Sequence, residues 1–249
     1  MAEAVREDEV AESDTLGDGG ERRRRRPGLE RGHARLPGGI QVVHEPDGRD
    51  AELYDFLPSG NGYKIRLLLS QLGIPFTLVE KDIQKGETRT PEFLAMNPNG
   101  RIPLLELDDG RRLAESDAIL FYLAEGTPFL PRDRFARGEV LQWMFFEQYS
   151  HEPYVAVVRR MVHMDGVPAD PDKVERGYQA LGVMERHLAK RRFFVDDRYT
   201  IADVALYAYT HVAHEGDFDL TRYPAVRAWL ARVAAEPGHV PITQRTFGR

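Results

Sequence analysis

Residues 52–73 read ELYDFLPSGNGYKIRLLLSQLG, and this stretch decides how the rest of the chain folds. Its apolar start predicts a β-strand, and the letters PSGNG supply the residues of a tight turn. The leucines and isoleucine after the turn recur with a helical period as far as Gly73, which predicts a helix that ends there. This order of elements places Ser59 and Asn61 at the amino end of a helix.

The amino end of a helix favours a bound anion. Its first backbone N–H groups lack partners within the helix, and they carry the positive end of the helix dipole. The hydroxyl of Ser59 and the side-chain amide of Asn61 are the nearest further donors. Ordinary turn chemistry is the alternative explanation, because Ser, Gly and Asn are common in turns of every kind.

Composition narrows the class of protein. The chain has 249 residues, of which 42% are hydrophobic and 30% charged, as in a globular protein with one large domain or two small ones. A formal net charge of −6 gives no general attraction to nucleic acid or to acidic membranes. The sequence has neither an apolar run of about 20 residues nor the layout of a secretory signal. We therefore expect a cytoplasmic protein without a nucleic-acid or membrane partner.

Cysteine is absent from the sequence. Its absence removes structural disulfides, thiolate metal sites and any cysteine nucleophile. If this protein works with thiols, the thiol arrives on the ligand.

The first 50 residues differ from the remainder. They contain an acidic block, an arginine run at residues 22–26 and a segment rich in Gly, Pro and Arg, with almost no apolar periodicity. This composition predicts a disordered charged extension over residues 1–50. The arginine run can alternatively be read as a targeting signal or a nucleic-acid patch.

Residues 51–126 predict an α/β unit. Strands and helices follow one another in the order β-α-β, α, β-β, α, which is typical of a mixed sheet. Pro103 lies near the start of the third strand, where it needs a sheet edge, a bulge or a cis peptide bond. Ser116 precedes an apolar helical run, so we expect it to cap that helix.

Residues 127–132 contain two prolines and predict a linker, and the period in residues 133–249 is helical almost throughout. The first of these helices is predicted to bury a face that includes Phe145 and Tyr149, before Pro153 kinks or restarts it. A later helix is apolar on all sides, so it is predicted to form the core of an all-α domain.

Three motifs carry a resemblance to the glutathione transferase superfamily over residues 52–240. They are Ile102-Pro103 at the third strand, Glu115-Ser116 at the start of the next helix, and the cap Thr200 to Asp203 before the apolar helix. The turn PSGNGYK most resembles bacterial nu-class enzymes and their fungal prion-related relatives, in which a Thr or Ser and an Asn two positions later face the sulfur. Ser59 departs from the expected Thr but keeps the hydroxyl.

The resemblance implies a thioredoxin-like amino-terminal domain that binds glutathione as co-substrate, an all-helical carboxy-terminal domain and a homodimer. A thiol with an ordinary pKa of about 8.5 is mostly protonated at neutral pH, so the site must stabilise the thiolate. Ser59 and Asn61 are the candidate catalytic residues, and they act by hydrogen bonding, without a general base. The implied activity is transfer to an electrophile or reduction of a disulfide, for which the nu class is noted.

The same resemblance supplies partners for the remainder of glutathione. Ile102 is expected to pair its backbone with the cysteinyl segment. Glu115 is expected to bind the α-amino group and Ser116 the α-carboxylate. Lys85 and Arg101 are both candidates for the glycine carboxylate, and the sequence does not choose between them.

Other residues are also candidates for roles at the site. Tyr149, His151 and Tyr154 lie beside the Pro153 kink and are candidates for an acceptor pocket, although core packing is the commoner fate of such residues. Tyr54 is an alternative sulfur ligand, but its position early in the strand favours a packing role.

We expect neither a metal nor a nucleotide as cofactor. His211 and His214 have the spacing of two metal ligands on a helix, but the sequence supplies no third and fourth ligand. Gly60 and Gly62 lack the third glycine of a dinucleotide fingerprint. A second functional hypothesis stays open, namely a non-catalytic dimerisation or regulatory module that retains the fold.

Overall fold

The computed structural model describes residues 51–247. The predicted extension, residues 1–50, lies outside the described residues. The first part of the described chain contains β1 (Ala51–Asp55), α1 (Gly60–Leu72), β2 (Phe76–Glu80), α2 (Pro91–Met96), β3 (Leu104–Glu106), β4 (Arg112–Ala114) and α3 (Ser116–Ala124).

The four strands form one mixed sheet in the order β2-β1-β3-β4. β1 runs parallel to β2 and antiparallel to β3, and β4 returns antiparallel to β3. The leucines of α1 are buried, and the helix is stopped at Gly73 by a left-handed backbone conformation that glycine adopts without strain. The prediction of a thioredoxin-like α/β unit is confirmed.

The second part of the chain is helical, as predicted. Its elements are α4 (Arg134–Phe146), a π-helical turn (Glu147–His151), α5 (Glu152–Arg159), a second π-helical turn (Arg160–Met164), α6 (Pro171–Leu188), α7 (Ile201–Thr210), a 3₁₀ turn (Ala213–Gly216) and α8 (Pro224–Ala234). Pro153 lies in the first turn of α5, where its missing N–H is least costly. No helix in the described range 51–247 has the length and apolar character needed to cross a bilayer.

The apolar helix α7 is the centre of the second part. Every residue from Ile201 to Thr210 is buried. Asp203 reaches back to accept from the backbone N–H of Thr200 at 2.9 Å, which closes the predicted capping box. Its other carboxylate oxygen accepts from the backbone N–H of Phe194 at 3.1 Å and from the indole N–H of Trp229 at 2.9 Å.

The predicted buried face of the first long helix is wrong at two residues. Phe145 and Tyr149 are 69% and 84% exposed. The π-helical turn after α4 changes which residues face inward, so Glu147 and His151 are buried in place of Tyr149. Phe145 follows the buried Met144 directly. Successive side chains point in different directions around a helix axis, so Phe145 points away from the core.

The last residues return to the first part of the chain. We call residues 236–247 the C-terminal strap, because they cross α1 and reach β2. The side chains of Tyr63, Arg66 and Ser70 donate to the carbonyls of Val240, Ile242 and Gly238 at 2.7, 2.7 and 2.9 Å, and the rings of Phe76 and Phe247 lie 4.6 Å apart. The strap therefore covers one side of the thioredoxin-like unit.

Candidate functional site

Ser59 and Asn61 lie at the amino end of α1, as the sequence predicts. Ser59 is the N-cap, and its hydroxyl accepts from the backbone N–H of Gly62 at 3.4 Å. Because the hydroxyl accepts in that bond, its own proton remains available to a ligand. Asn61 follows in the first helical turn, and both side chains are half-buried.

The expectation that the first N–H groups of α1 lack partners holds only in part. The backbone N–H of Asn61 donates to the hydroxyl of Tyr209 at 3.2 Å, and that of Gly62 donates to Ser59. The side chains of Ser59 and Asn61 are therefore more important as donors than the helix end itself. Tyr209 lies on α7. In the sequence, the sign of this contact is that Tyr209 carries a hydroxyl within a mostly apolar helix.

The two glycines of the turn are explained by close approach of other groups. A Cβ added at Gly60 would lie 2.5 Å from the ring of Tyr209. A Cβ added at Gly62 would lie 1.6 Å from a carboxylate oxygen of Asp55. Both glycines are needed for packing around the amino end of α1.

Two buried arginines hold the turn that precedes Ser59. Arg66 donates to the carbonyl of Leu57 at 2.6 Å and to the carboxylate of Asp55 at 3.0 Å. Arg159, from α5, donates to the carbonyl of Pro58 at 2.8 Å. Burial raises the pKa of Asp55 to about 7, although Arg66 offsets part of the effect. Both parts of the chain thus fix the backbone that carries the candidate hydroxyl.

The Ile102-Pro103 peptide bond is cis, one of the three arrangements expected at Pro103. Within residues 51–247, the backbone N–H and C=O of Ile102 make no hydrogen bond. The Arg101 side chain before it is exposed. Lys85 is 76% exposed and forms an ion pair with Asp82 at 2.9 Å.

The expected capping role of Ser116 is wrong by one position. α3 begins at Ser116 itself, and Glu115 occupies the cap position with a φ of 68° that non-glycine residues adopt uncommonly. The Ser116 hydroxyl instead donates to the side-chain oxygen of Asn61 at 3.3 Å. The carboxylate of Glu115 accepts from the amide of Asn99 at 3.5 Å. The structure therefore brings the Glu115-Ser116 motif and Asn61 together.

A buried lysine lies behind this contact. The ammonium of Lys64 donates to the hydroxyl of Ser116 at 3.2 Å, to Asp117 at 3.1 Å and to Glu147 at 2.8 Å. Burial alone would lower the pKa of Lys64, but the carboxylates of Asp117 and Glu147 outweigh burial and raise it. Burial raises the pKa of Glu147, and Lys64 offsets part of that rise.

Sequence patterns alone do not predict this cluster. The signal for it in the sequence is a lysine, Lys64, placed among the buried apolar residues of α1. Charged residues at such positions are almost never fully buried unless they are paired.

The three candidates for an acceptor pocket lie in different environments. His151 is fully buried, its Nε2 lies 2.9 Å from the hydroxyl of Thr210, and burial lowers the pKa of His151 to about 3. The imidazole of His151 is therefore packed in the core and paired with Thr210. Tyr149 is exposed on the outer surface, while Tyr154 is half-buried and accepts from Arg176 at 3.3 Å.

A different residue of the helical part lies nearer to the candidate catalytic pair. The carboxylate of Glu152 accepts from the side-chain amide of Asn61 at 3.4 Å. Glu152 occupies the start of α5, immediately after the π-helical turn. No local pattern in the sequence distinguishes Glu152 from the other acidic residues of the helical part.

The remaining candidates have other partners. The hydroxyl of Tyr54 donates to Glu52 at 2.8 Å, and burial together with Glu52 raises the pKa of Tyr54 to about 12. His211 stacks on the ring of Tyr207, with centroids 4.6 Å apart, and its Nδ1 lies 2.9 Å from the carbonyl of the same residue. The part of the chain that the structure describes contains no group of three or more His, Cys, Asp or Glu side chains placed to hold a metal ion.

Comparisons with known proteins agree with this architecture. Residues 50–125 match the family model of the glutathione S-transferase N-terminal domain, and residues 155–237 match that of the C-terminal domain. The disulfide-bond oxidoreductase YfcG of Escherichia coli is 32% identical over 196 residues, which are 75% of this chain and 91% of that protein. The chain belongs to the glutathione S-transferase family.

Solved structures show the same likeness. A glutathione S-transferase from Pseudomonas fluorescens is 51% identical with a TM-score of 0.76, and the match covers 78% of this chain and 99% of that one. The glutathione transferase URE2P6 from Phanerochaete chrysosporium, in complex with oxidized glutathione, is 28% identical with a TM-score of 0.69, over 77% of this chain and 93% of that one.

Proposed function

We propose that this chain is a glutathione-dependent enzyme that holds the thiolate of glutathione between the hydroxyl of Ser59 and the side-chain amide of Asn61. The observation that carries the proposal is the hydrogen bond from Ser116 to Asn61, which joins two motifs 55 residues apart in sequence. The candidate donors to the sulfur anion, Ser59 and Asn61, therefore lie next to Glu115-Ser116, the candidate subsite for the α-amino and α-carboxylate groups of glutathione.

Thiolate stabilisation at this site relies on neutral donors. The buried cations near the site are already paired: Lys64 is bonded to Asp117 and Glu147, Arg66 to Asp55 and Arg159 to Glu215, so little of their charge is left for a ligand. Hydrogen bonds to an ionised acceptor are stronger than those between neutral groups, so a hydroxyl and an amide favour the thiolate over the thiol. Each unit by which they lower the pKa of the thiol corresponds to about 1.4 kcal/mol of stabilisation of the thiolate relative to the thiol.

The remainder of glutathione has partners around the same point. The free backbone groups of Ile102 pair with the cysteinyl segment as an added strand would. Glu115 binds the α-amino group, and Ser116 binds the α-carboxylate with its helix-terminal N–H, since its hydroxyl proton is donated to Asn61. Arg101 is favoured over Lys85 for the glycine carboxylate, because Lys85 already pairs with Asp82.

Disulfide reduction is the favoured reaction, since a curated relative is named as a disulfide-bond oxidoreductase. The bound thiolate attacks one sulfur of the substrate disulfide, the S–S bond breaks, and the departing thiolate takes a proton. A second glutathione thiolate then attacks the mixed disulfide, which releases oxidised glutathione and the second substrate thiol. Two glutathiones are oxidised for each disulfide reduced, and the protein contributes no cysteine. Attack on an electrophilic carbon uses the same bound thiolate.

We also propose a homodimer in the cytoplasm, where glutathione is the thiol that sets the redox poise. Phe135, Phe145 and Tyr149 are 77%, 69% and 84% exposed along α4 and the turn that follows it. Tyr122, on α3, adds a fourth exposed aromatic side chain. Aromatic side chains are enriched at interfaces between proteins, which supports placing the dimer contact on this part of the surface. Phe145→Glu is expected to shift the sedimentation coefficient from dimer to monomer, and an unchanged dimer would remove this face from the interface.

The catalytic proposal is tested by binding followed by turnover. The protein should be retained on immobilised glutathione and should turn over a model disulfide, a model aryl halide, or both. Retention without either activity would instead support a non-catalytic module.

Ser59→Ala and Asn61→Ala test the roles of the two side chains. Each is expected to raise the pKa of bound glutathione by about one unit in a thiolate absorbance titration. Ser70→Ala, near the other end of α1, is the matched control and should leave the titration as in the wild type. An unchanged titration in both site variants would remove Ser59 and Asn61 from the mechanism.

A further inference from the structure

We infer that Lys64 is a positioning residue that sets the direction of the Asn61 amide, acting through the hydroxyl of Ser116. The inference rests on the proposed function, in which Asn61 donates to the glutathione sulfur. Lys64 is buried behind the site and contacts Ser116, which in turn contacts Asn61. These three side chains form a chain of hydrogen bonds that ends at the candidate donor.

The donor count of the ammonium fixes the first link. A protonated lysine has three N–H groups and no acceptor. The three acceptors within reach are Ser116 at 3.2 Å, Asp117 at 3.1 Å and Glu147 at 2.8 Å. Because Lys64 can only donate, the Ser116 hydroxyl accepts from it. The single proton of that hydroxyl is then directed elsewhere.

The second link fixes the amide. The proton of Ser116 goes to the side-chain oxygen of Asn61 at 3.3 Å. The oxygen of the amide is therefore turned toward Ser116, and its nitrogen is turned away. That nitrogen donates one N–H to Glu152 at 3.4 Å, which leaves its second N–H for a ligand.

The reversed amide would oppose the proposed chemistry. With the two amide atoms exchanged, Asn61 would present a carbonyl oxygen to the sulfur anion and an N–H to a hydroxyl. It would also bring an oxygen against the carboxylate of Glu152. Donation from Lys64 opposes this arrangement, because it occupies one lone pair of the Ser116 hydroxyl and leaves the proton of that hydroxyl to be donated to Asn61.

The helical part of the chain contributes to this control. Glu147 lies in the π-helical turn after α4 and is fully buried against the ammonium. Single π-helical turns inside α-helices are frequent at functional sites. Here the turn places a carboxylate where Lys64 needs a counter-charge, so the second part of the chain helps to orient a side chain of the first.

The test uses the variants Asn61→Ala, Lys64→Met/Glu147→Leu and the triple combination. Removing Lys64 and Glu147 together avoids leaving Glu147 as a buried, unpaired charge. The readout is the pKa of bound glutathione, with the urea midpoint recorded in parallel. We expect Lys64→Met/Glu147→Leu to raise the pKa of bound glutathione by about one unit. At pH values well below that pKa, the shift leaves about tenfold less thiolate. In the triple variant the rise should be no larger than in Asn61→Ala alone.

The outcomes separate this inference from the function on which it rests. An effect that adds in full to that of Asn61→Ala would show that Lys64 acts independently of the amide, and would overturn the inference. A wild-type pKa in Lys64→Met/Glu147→Leu, with a raised pKa in Asn61→Ala, overturns the inference and leaves the proposed function intact. No shift in Asn61→Ala overturns the inference and removes Asn61 from the proposed mechanism, and Ser59→Ala then decides whether the remaining part of the proposed function holds.

A second pair of variants keeps the inference testable if the Lys64 variant does not fold. Ser116→Ala removes the middle of the chain without disturbing a charge, and Ser116→Thr retains a hydroxyl. We expect Ser116→Ala to raise the thiol pKa by about one unit and Ser116→Thr to restore most of it. Equal pKa values for the wild type and Ser116→Ala would overturn the inference.

Discussion

Replacing Asp203 by Asn probes the core of the helical part with a nearly isosteric change. One carboxylate oxygen accepts from the backbone N–H of Phe194 and from the indole of Trp229, at 3.1 and 2.9 Å. The other accepts from the backbone N–H of Thr200 at 2.9 Å. Three N–H groups of the core therefore depend on one buried side chain.

An asparagine can satisfy only part of this set. If its oxygen serves Phe194 and Trp229, its NH₂ group faces the backbone N–H of Thr200, and two buried donors oppose one another. Each buried donor without a partner costs about 1–3 kcal/mol. We therefore expect Asp203→Asn to lower the free energy of unfolding by about 2–4 kcal/mol.

The assay is urea denaturation followed by far-UV circular dichroism, with the slope compared between variants. Asp133→Asn is the matched control, because Asp133 caps α4 at the surface by accepting from Phe135 and Ala136 at 3.0 and 2.9 Å. Asn caps helices as well as Asp does, so the control should change stability by less than about 0.5 kcal/mol. Equal effects of the two substitutions would refute the account of the buried cap.

Three further predictions follow from the site and its surroundings. Gly62→Ala should destabilise the protein by at least about 3 kcal/mol, because the new Cβ would lie 1.6 Å from a buried carboxylate oxygen. The control Gly182→Ala, in α6, should instead stabilise the protein by about 0.5–1 kcal/mol. Changes of the same sign in the free energy of unfolding, measured by urea denaturation, would contradict this. Burial lowers the pKa of His211 to about 4. Between about pH 6.5 and 4, His211 is therefore protonated in the unfolded chain but neutral in the folded protein, so stability is lost as the pH falls through this range. His211→Phe should make that loss smaller by up to about 1.4 kcal/mol per pH unit, and an identical acid dependence of the urea midpoint would argue against it. Arg159→Met removes a donor to the turn before Ser59 and should lower turnover roughly ten- to a hundredfold; turnover at the wild-type rate would show that this contact is dispensable.

Local patterns in the sequence predicted the elements that depend on neighbouring residues. The position of Ser59 at the amino end of α1 and the cap from Thr200 to Asp203 are each set within a few positions of the chain, and both are present. The approach of Glu115-Ser116 to Asn61 was expected only through the family resemblance. No spacing rule within one element connects residues so far apart in sequence.

The remaining features depend on partners that are distant in sequence. The burial of Lys64 is possible because Glu147 lies opposite it, and the two residues are 83 positions apart. A sequence pattern marks such a lysine as unusual but does not reveal its counter-charge. The error in the predicted burial of Tyr149 has a similar origin, since a π-helical turn changes which residues face the core while the apolar spacing is unchanged.

The C-terminal strap has a consequence for the order in which the protein matures. Its carbonyls accept from Tyr63 and Arg66, so the thioredoxin-like unit lacks these contacts until residues 236–247 have left the ribosome. Domains of a nascent chain generally fold as units from the amino terminus, but here the early unit stays open along one side during synthesis.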